Sequence, residues 1–259
     1  MTATEYEIDD RGVATLWLSR PEVHNALNAQ MMDEITARVS GFRTGDAPRV
    51  LILAGRGRSF CAGGDLGWMR AQFDATPAAR DTEARRIAGM LQALHMCDVP
   101  IIGRIHGNAL GGGVGMACVC DAAIGVLGRK LGLTETRLGL IPATIGPYVA
   151  ARMGTRTREV FMSSRIFEAE EAVRLGILSQ AVPEDDLDAA VEAAVLPYLS
   201  CAPGAVAEAK QLARALGPRI DADTIDLTVA ALAARWESAE AQEGIAAFFD
   251  KRPAPWMLS

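Results

Sequence analysis

Hydrophobic and polar positions change their period several times along the chain, and each change marks an element. Residues 13–18 alternate, with Val13, Thr15 and Trp17 on one face and Ala14, Leu16 and Leu18 on the other. With the short run at 6–8 and the turn Asp9-Asp10-Arg11-Gly12 between them, they predict a hairpin. Met31, Met32, Ile35, Val39 and Phe42 then recur at helical spacing. Asn25 or Asn28 can cap that helix, and its end falls near Gly41 to Gly45. Arg49-Val50-Leu51-Ile52-Leu53-Ala54 predicts a short buried strand, which opens into a loop over 55–66 rich in small residues.

A polar, alanine-rich stretch over 74–86 precedes a helix carrying Ile87, Met90, Leu91 and Leu94, and a buried strand follows Pro100 at 101–105. Next come the run Ala109-Leu110-Gly111-Gly112-Gly113-Val114-Gly115, a helix of small residues through Cys120, and a strand at 122–126. Strand, loop, helix and again strand, glycines, helix is a βα theme with parallel buried strands. Helical patterns dominate the remainder, over 144–153, 155–162, 168–175, 184–198, 203–216, 221–240 and 243–249, with little strand signal. Pro197, Pro203 and Pro218 punctuate this part and divide the chain into a core region, 1–196, and a helical C-terminal region, 197–259.

Composition narrows the function. The 259 residues, 50% hydrophobic and 22% charged, suffice for one substantial core. A formal charge of -6 and a pI near 5.2 argue against nucleic-acid and anionic-membrane partners, which ask for clustered Lys and Arg. The first residues carry no positive leader, and no window is as long and apolar as a membrane span, so a cytoplasmic location is expected. Five cysteines read as buried thiols, and the pair Cys118 and Cys120 lacks the partners of a zinc site, so no metal is expected. Three histidines and no Gly-x-Ser-x-Gly elbow leave a Ser-His-acid hydrolase without support, and His106 reads as structural. Neither a complete Gly-x-Gly-x-x-Gly nor a Gly-Lys-Ser/Thr phosphate loop occurs.

The three consecutive glycines, Gly111 to Gly113, are the strongest chemical signal. Without a Cβ, backbone N–H groups there can meet a ligand oxygen, and the first N–H groups of a helix lack partners within it. Close packing of helix on sheet is the alternative reading. Glu135, among Leu131, Leu133 and Leu138, is a candidate acid/base, since an apolar setting raises a carboxyl pKa toward neutrality. Here the alternative is a surface glutamate paired with Arg137.

Four stretches in register resemble the crotonase (enoyl-CoA hydratase/isomerase) superfamily: Arg20-Pro21-Glu22-Val23-His24-Asn25-Ala26-Leu27, Ser59-Phe60-Cys61-Ala62-Gly63-Gly64-Asp65-Leu66, Asn108 to Gly113, and Leu133-Thr134-Glu135 with Leu138-Gly139-Leu140-Ile141-Pro142. With the tail Phe248 to Pro253, the similarity spans roughly residues 5 to 256. The resemblance implies an α/β spiral of ββα units, a C-terminal helical trimerisation region, and a homotrimer or dimer of trimers. It implies an acyl-CoA thioester substrate, with coenzyme A arriving as part of it and no separate cofactor. Carried over residue by residue, it gives Gly64 and Gly112 as the N–H donors to the thioester oxygen and Glu135 as the acid/base. It also places Val23, Ala26, Ala62, Asp65, Leu66, Gly115, Thr134, Pro142 and Ala143 along the substrate, and Lys251 near the CoA phosphates. Loop filler for Val23 and a solvated tail charge for Lys251 are the plain alternatives.

One position departs from the commonest hydratase pattern. A second glutamate is expected three residues after the middle glycine, and Gly115 stands there. Asp121 lies further along and reads as a local cap or pair. The stretch from Gly132 to Val149 looks most like bacterial 3-methylglutaconyl-CoA and isohexenylglutaconyl-CoA hydratases, and Gly115 then implies extra room beside a branched β-carbon. Arg70, Lys130 and Arg137 are the cations the sequence offers to the second carboxylate of such a substrate. The expected activity is hydration of a branched 2-enoyl-CoA. A Δ3,Δ2-enoyl-CoA isomerase with a single glutamate and a non-catalytic acyl-CoA-binding paralogue are the alternatives.

Overall fold

Alternation over 13–18 produces the expected hairpin. A computed structural model of the chain describes residues 2–42 and 47–257, and in it β1 (Thr4–Ile8) pairs antiparallel with β2 (Val13–Leu18). Asn28 caps α1 (Ala29–Gly41), its side chain accepting from the Met31 N–H at 3.0 Å. Gly45, the far limit of the predicted helix end, lies outside the described residues. Asn25 caps nothing. It is fully buried at φ +55°, and its amide donates to the carbonyls of Arg56 (2.8 Å) and Ser59 (2.9 Å), stitching the 20–27 segment to the following loop.

After β3 (Val50–Gly55) the predicted loop contains a three-residue strand, β4 (Ser59–Cys61), and the short helix α2 (Leu66–Ala71) starts at its end. The polar stretch is helical from Pro77 on, forming the first turns of the twenty-residue α3 (Pro77–Met96), which Thr76 caps. Its contribution to the core is made by Ala84 and the buried Arg80, so no large apolar periodicity announces it. The chain continues through β5 (Ile101–Ile105), β6 (Asn108–Leu110), α4 (Gly112–Val119), β7 (Ala122–Val126) and β8 (Lys130–Gly132). Then follow α5 (Gly146–Met153), α6 (Thr157–Val160), β9 (Ile166–Glu168), α7 (Ala169–Leu175) and β10 (Gln180–Val182).

Two sheets result. The larger has the order β1-β2-β3-β5-β7-β10, parallel beyond the hairpin, and the smaller has the order β4-β6-β8-β9. Each turn of the chain places one strand in each sheet and then a helix, which is a spiral of ββα units. One large apolar cluster fills the space between sheets and helices. Five of the strands, β4, β6, β8, β9 and β10, are three residues long, too short for a periodicity to be read.

The C-terminal part is helical as expected: α8 (Leu187–Leu199), α9 (Pro203–Leu216), α10 (Ala222–Trp236) and α11 (Ala239–Phe249). Pro197, at which the sequence divides core from C-terminal region, lies inside α8, and the chain bends between α8 and α9 instead. No residue of α9 is buried; two cations moor it. Lys210 Nζ donates to Val99 O (2.8 Å) and Asp121 Oδ2 (2.7 Å), and Arg214 donates to Asp98 Oδ1 (2.8 Å). Asp121, just past α4, also accepts from the Ile101 N–H at 2.7 Å, so it is paired structurally, but across the fold and not locally as expected.

Helix α11 packs on a 3-10 turn, Glu135–Leu138, at a distance only glycines allow. A Cβ on Gly244 would lie 2.4 Å from Leu138 O, and one on Gly139, whose φ is +70°, 2.4 Å from Glu240 O. Backbone cannot yield as a side chain does. Gly244→Ala should therefore lower stability by about 1–3 kcal/mol in thermal melts, with loss of activity through displacement of the Glu135 turn.

Candidate active site

Three strands of the smaller sheet run parallel and end side by side. The register pairs Cys61 with Ala109, Ala109 with Leu131 and Leu110 with Gly132. Each strand end is followed at once by residues singled out in the sequence: Gly64 after β4, Gly112 after β6 and Glu135 after β8. A cavity of about 480 Å³ opens there. Val23, Ala26, Ala62, Gly64, Asp65, Leu66, Thr134 and Glu135 line it, while Gly112, Gly115, Pro142, Ala143 and Lys251 are not among its lining residues. His24, Met69, Leu138, Leu140 and Phe248 also line it; the sequence assigns none of them a place along the substrate, though Leu138 reads as part of the apolar setting of Glu135. Met69 and Phe248 come from α2 and α11; Met69 has no sequence signal beyond an apolar side chain on a short helix, and Phe248 only its place at the start of the resembling tail.

Gly64 is held by its neighbours' peptides. The Leu27 N–H donates to Gly63 O at 2.8 Å, and the Asp65 N–H donates to Leu27 O at 2.8 Å. In a trans peptide the carbonyl and N–H point in opposite directions, so a Gly63 carbonyl turned toward Leu27 turns the Gly64 N–H away from it. Gly112 begins α4, where an N–H lacks an intrahelical acceptor. A Cβ on Gly112 would lie 2.8 Å from Leu27 Cδ1, and one on Gly63 would lie 3.7 Å from Gly112 N, so Leu27 braces both loops. Among the described residues neither the Gly64 N–H nor the Gly112 N–H has a protein acceptor. Asp65 is committed to structure: it caps α2 through Trp68 N (3.1 Å) and pairs with Arg20 (3.1 Å), which also donates to Ala26 O (2.7 Å).

Glu135 reaches the same place through β8. The Gly111 N–H donates to Gly132 O at 2.9 Å, extending the ladder, and the 3-10 turn begins at Glu135. Gly111 adopts φ +48°, and a Cβ there would lie 2.9 Å from Glu135 Oε1, so only glycine admits the carboxylate. Oε2 is shielded from solvent and has no partner among the described residues. Arg137 is exposed while Glu135 Oε2 is shielded and unpaired among the described residues, so the surface-pair alternative does not hold. Burial among apolar side chains pushes the carboxyl up to about 7. His24 is engaged by Ser59 Oγ (3.0 Å) and Arg58 (2.9 Å), and His106 by Gly57 O (2.9 Å).

Gly115 differs from its expectation. It is buried in α4, and the position its Cβ would take is 2.4 Å from Ile145 Cγ2. Ile145 fills the room that a branched acyl group was expected to use. A larger cleft of about 630 Å³ under α9 holds none of the three strand-end residues, and its Asp121, Lys210 and Arg214 are already paired.

This arrangement can do one kind of chemistry. An unpaired N–H in the cavity wall at Gly64, a second on the peptide that joins Gly112 to the lining Gly111, and a carboxyl near neutrality in the same wall suit an oxygen that gains charge while a proton moves next to it. The sequence matches the Enoyl-CoA hydratase/isomerase family over residues 9–258. The chain is 33% identical over 253 residues to a Rhodobacter capsulatus protein described as a probable enoyl-CoA hydratase, covering 96% of this chain and 95% of that one. It is 29% identical over 248 residues to the crotonyl-CoA hydratase of Syntrophomonas wolfei, 93% of each chain being covered. The crystal structure of an enoyl-CoA hydratase from Shewanella pealeana superposes with a TM-score of 0.79 at 34% identity, over 98% of this chain and 96% of that one. The fold is thus that of the crotonases. This chain belongs to the enoyl-CoA hydratase/isomerase family, whose hydratases are carbon–oxygen lyases.

Two outcomes follow from the geometry. A raised carboxyl costs stability only when ionised: below about pH 4 folded and unfolded chains both hold the proton, and stability falls as pH rises toward 7. Glu135→Gln should therefore melt above the wild type at pH 8 and alongside it near pH 4, the gap at pH 8 being on the order of 2 kcal/mol. Gly115→Glu, which restores the commoner sequence pattern, should destabilise by about 2 kcal/mol or more through collision with Ile145, and should not raise turnover.

Proposed function

We propose that this protein adds water across the C2=C3 bond of a 2-enoyl-CoA. Support comes from one observation above all: Glu135, with a free and buried Oε2, lies against the Gly111 backbone, beside the unpaired N–H groups of Gly64 and Gly112. In this reading water attacks C3, Glu135 takes its proton, and the electron pair of the double bond moves onto the thioester oxygen. The two N–H groups hold that enolate, and Glu135 returns the proton to C2. Fixed donors of this kind contribute about 10²–10³ in rate each. The reaction so written needs no cofactor beyond the CoA that the substrate carries.

The acyl group is best read as uncharged. Among the described residues no Arg or Lys lines the cavity, so the second carboxylate of a methylglutaconyl group has no cation there. Arg70 lies over the Phe249 ring, and Lys130 and Arg137 are exposed. A single uncommitted carboxylate favours one second reading, Δ3,Δ2-isomerisation, which moves a proton between two carbons and needs no water. Val23, Ala62 and Leu66 suit the pantetheine arm. Gly112 does not line the cavity itself, but its N–H belongs to the peptide it shares with the lining Gly111; Lys251, Pro142, Ala143 and Gly115 do not line the cavity, which leaves a substrate role for them unsupported. We also propose a trimer or pair of trimers in the cytoplasm; exposed Leu212, Leu216, Leu227 and Phe249 on the C-terminal helices support the assembly.

Loss of conjugated-thioester absorbance with crotonyl-CoA tests the reaction. The expected result is hydration, with 3-methylglutaconyl-CoA turned over at least about 10-fold more slowly, since its buried carboxylate would stay unpaired. Conversion of a 3-enoyl-CoA without a hydroxyacyl product would favour the isomerase, and binding without turnover a non-catalytic protein. Glu135→Gln should lower kcat by about 10²–10⁴, and an unchanged kcat would remove the proposed base. Because the working form is the carboxylate, kcat/KM should fall tenfold per unit below a pH of about 7.

A further inference from the structure

Hydration by a lone glutamate leaves open what holds the water while Glu135 takes its proton. Four side chains lining the cavity have hydrogen-bonding groups: His24, Asp65, Thr134 and Glu135. Both nitrogens of His24 are engaged, by Ser59 Oγ and Arg58. Both oxygens of Asp65 are engaged, by the Trp68 N–H and Arg20. The place where a second acid would stand, Gly115, has no space for one beside Ile145.

Thr134 remains. It sits at the cap of the 3-10 turn, where a threonine hydroxyl ordinarily accepts from the backbone two or three residues on. Here it makes no cap bond, and its hydroxyl has no partner among the described residues. A polar group left out of its local role, half-buried in the cavity wall and next in sequence to the free carboxylate, is available to a ligand.

We infer that the Thr134 hydroxyl positions the attacking water, accepting a hydrogen bond from it or donating one to it while Glu135 accepts the proton that leaves. The inference rests on the hydratase reading. One hydroxyl and one carboxylate then share the work for which two carboxylates would otherwise be needed, and no further group is consumed: the water oxygen bonds to C3, and its proton passes through Glu135 to C2.

Thr134→Val keeps the shape and removes the hydroxyl; Thr134→Ser keeps the hydroxyl. With crotonyl-CoA, Thr134→Val should lose about 10²-fold in kcat, and Thr134→Ser should recover to within about tenfold of the wild type. The affinity for butyryl-CoA and the apparent pKa near 7 in kcat/KM should stay unchanged in both, since a turn that had merely shifted would move Glu135 and with it that pKa. Hydration by Thr134→Val within about threefold of the wild type, or a Thr134→Ser no better than Thr134→Val, overturns the inference while leaving the hydratase intact. A wild-type protein that hydrates no 2-enoyl-CoA defeats the hydratase reading, and the inference with it.

Discussion

The parallel pairing of β4, β6 and β8 is the constraint on which the site depends. Each strand is only three residues long, yet the register brings Cys61, Leu110 and Gly132 to one edge, and the chain leaves that edge toward one cavity three times. Residues far apart in sequence, Gly64, Gly112 and Glu135, are therefore set by backbone hydrogen bonds and not by flexible side chains. Open α/β folds place ligands outside the carboxyl ends of parallel strands for the same reason. The larger sheet and its apolar core hold this small sheet in place.

Glycine and apolar bulk act together at that edge. Gly111 at φ +48° leaves space for the Glu135 carboxylate, Gly63 and Gly112 let their loops touch, and Leu27 presses against both while its own peptide groups hold Gly64. The same close packing desolvates the Glu135 carboxyl, which raises its pKa. Shielding an unpaired carboxyl costs stability, and such costs are commonly found at sites where a group must exchange protons near neutral pH.

The C-terminal helices complete the site as well as covering the core. Helix α11 contributes Phe248 to the cavity wall and rests on the Glu135 turn through Gly139 and Gly244. Helix α9 buries no residue of its own and is tied down by Lys210 and Arg214 to Asp121, Asp98 and backbone carbonyls near α3 and β5. A surface held by two cations over open clefts has apolar residues to spare, Leu212 and Leu216 among them.

The sequence by itself determined the hairpin, the buried parallel strands β3, β5 and β7, most helices and the family, because these rest on local periodicity, caps and motifs in register. It also marked Gly64, Glu135 and the wall residues from Val23 to Leu66. Tertiary structure alone decided three matters. The strands of the smaller sheet, three residues each, have no period to read and exist only through pairing. Phe248 and Met69 reach the cavity because whole helices dock there. Gly115 looked like room for a branched substrate, but Ile145, thirty positions on in sequence, fills the space. A vacancy is a property of everything packed around a residue, and no single stretch of sequence contains it.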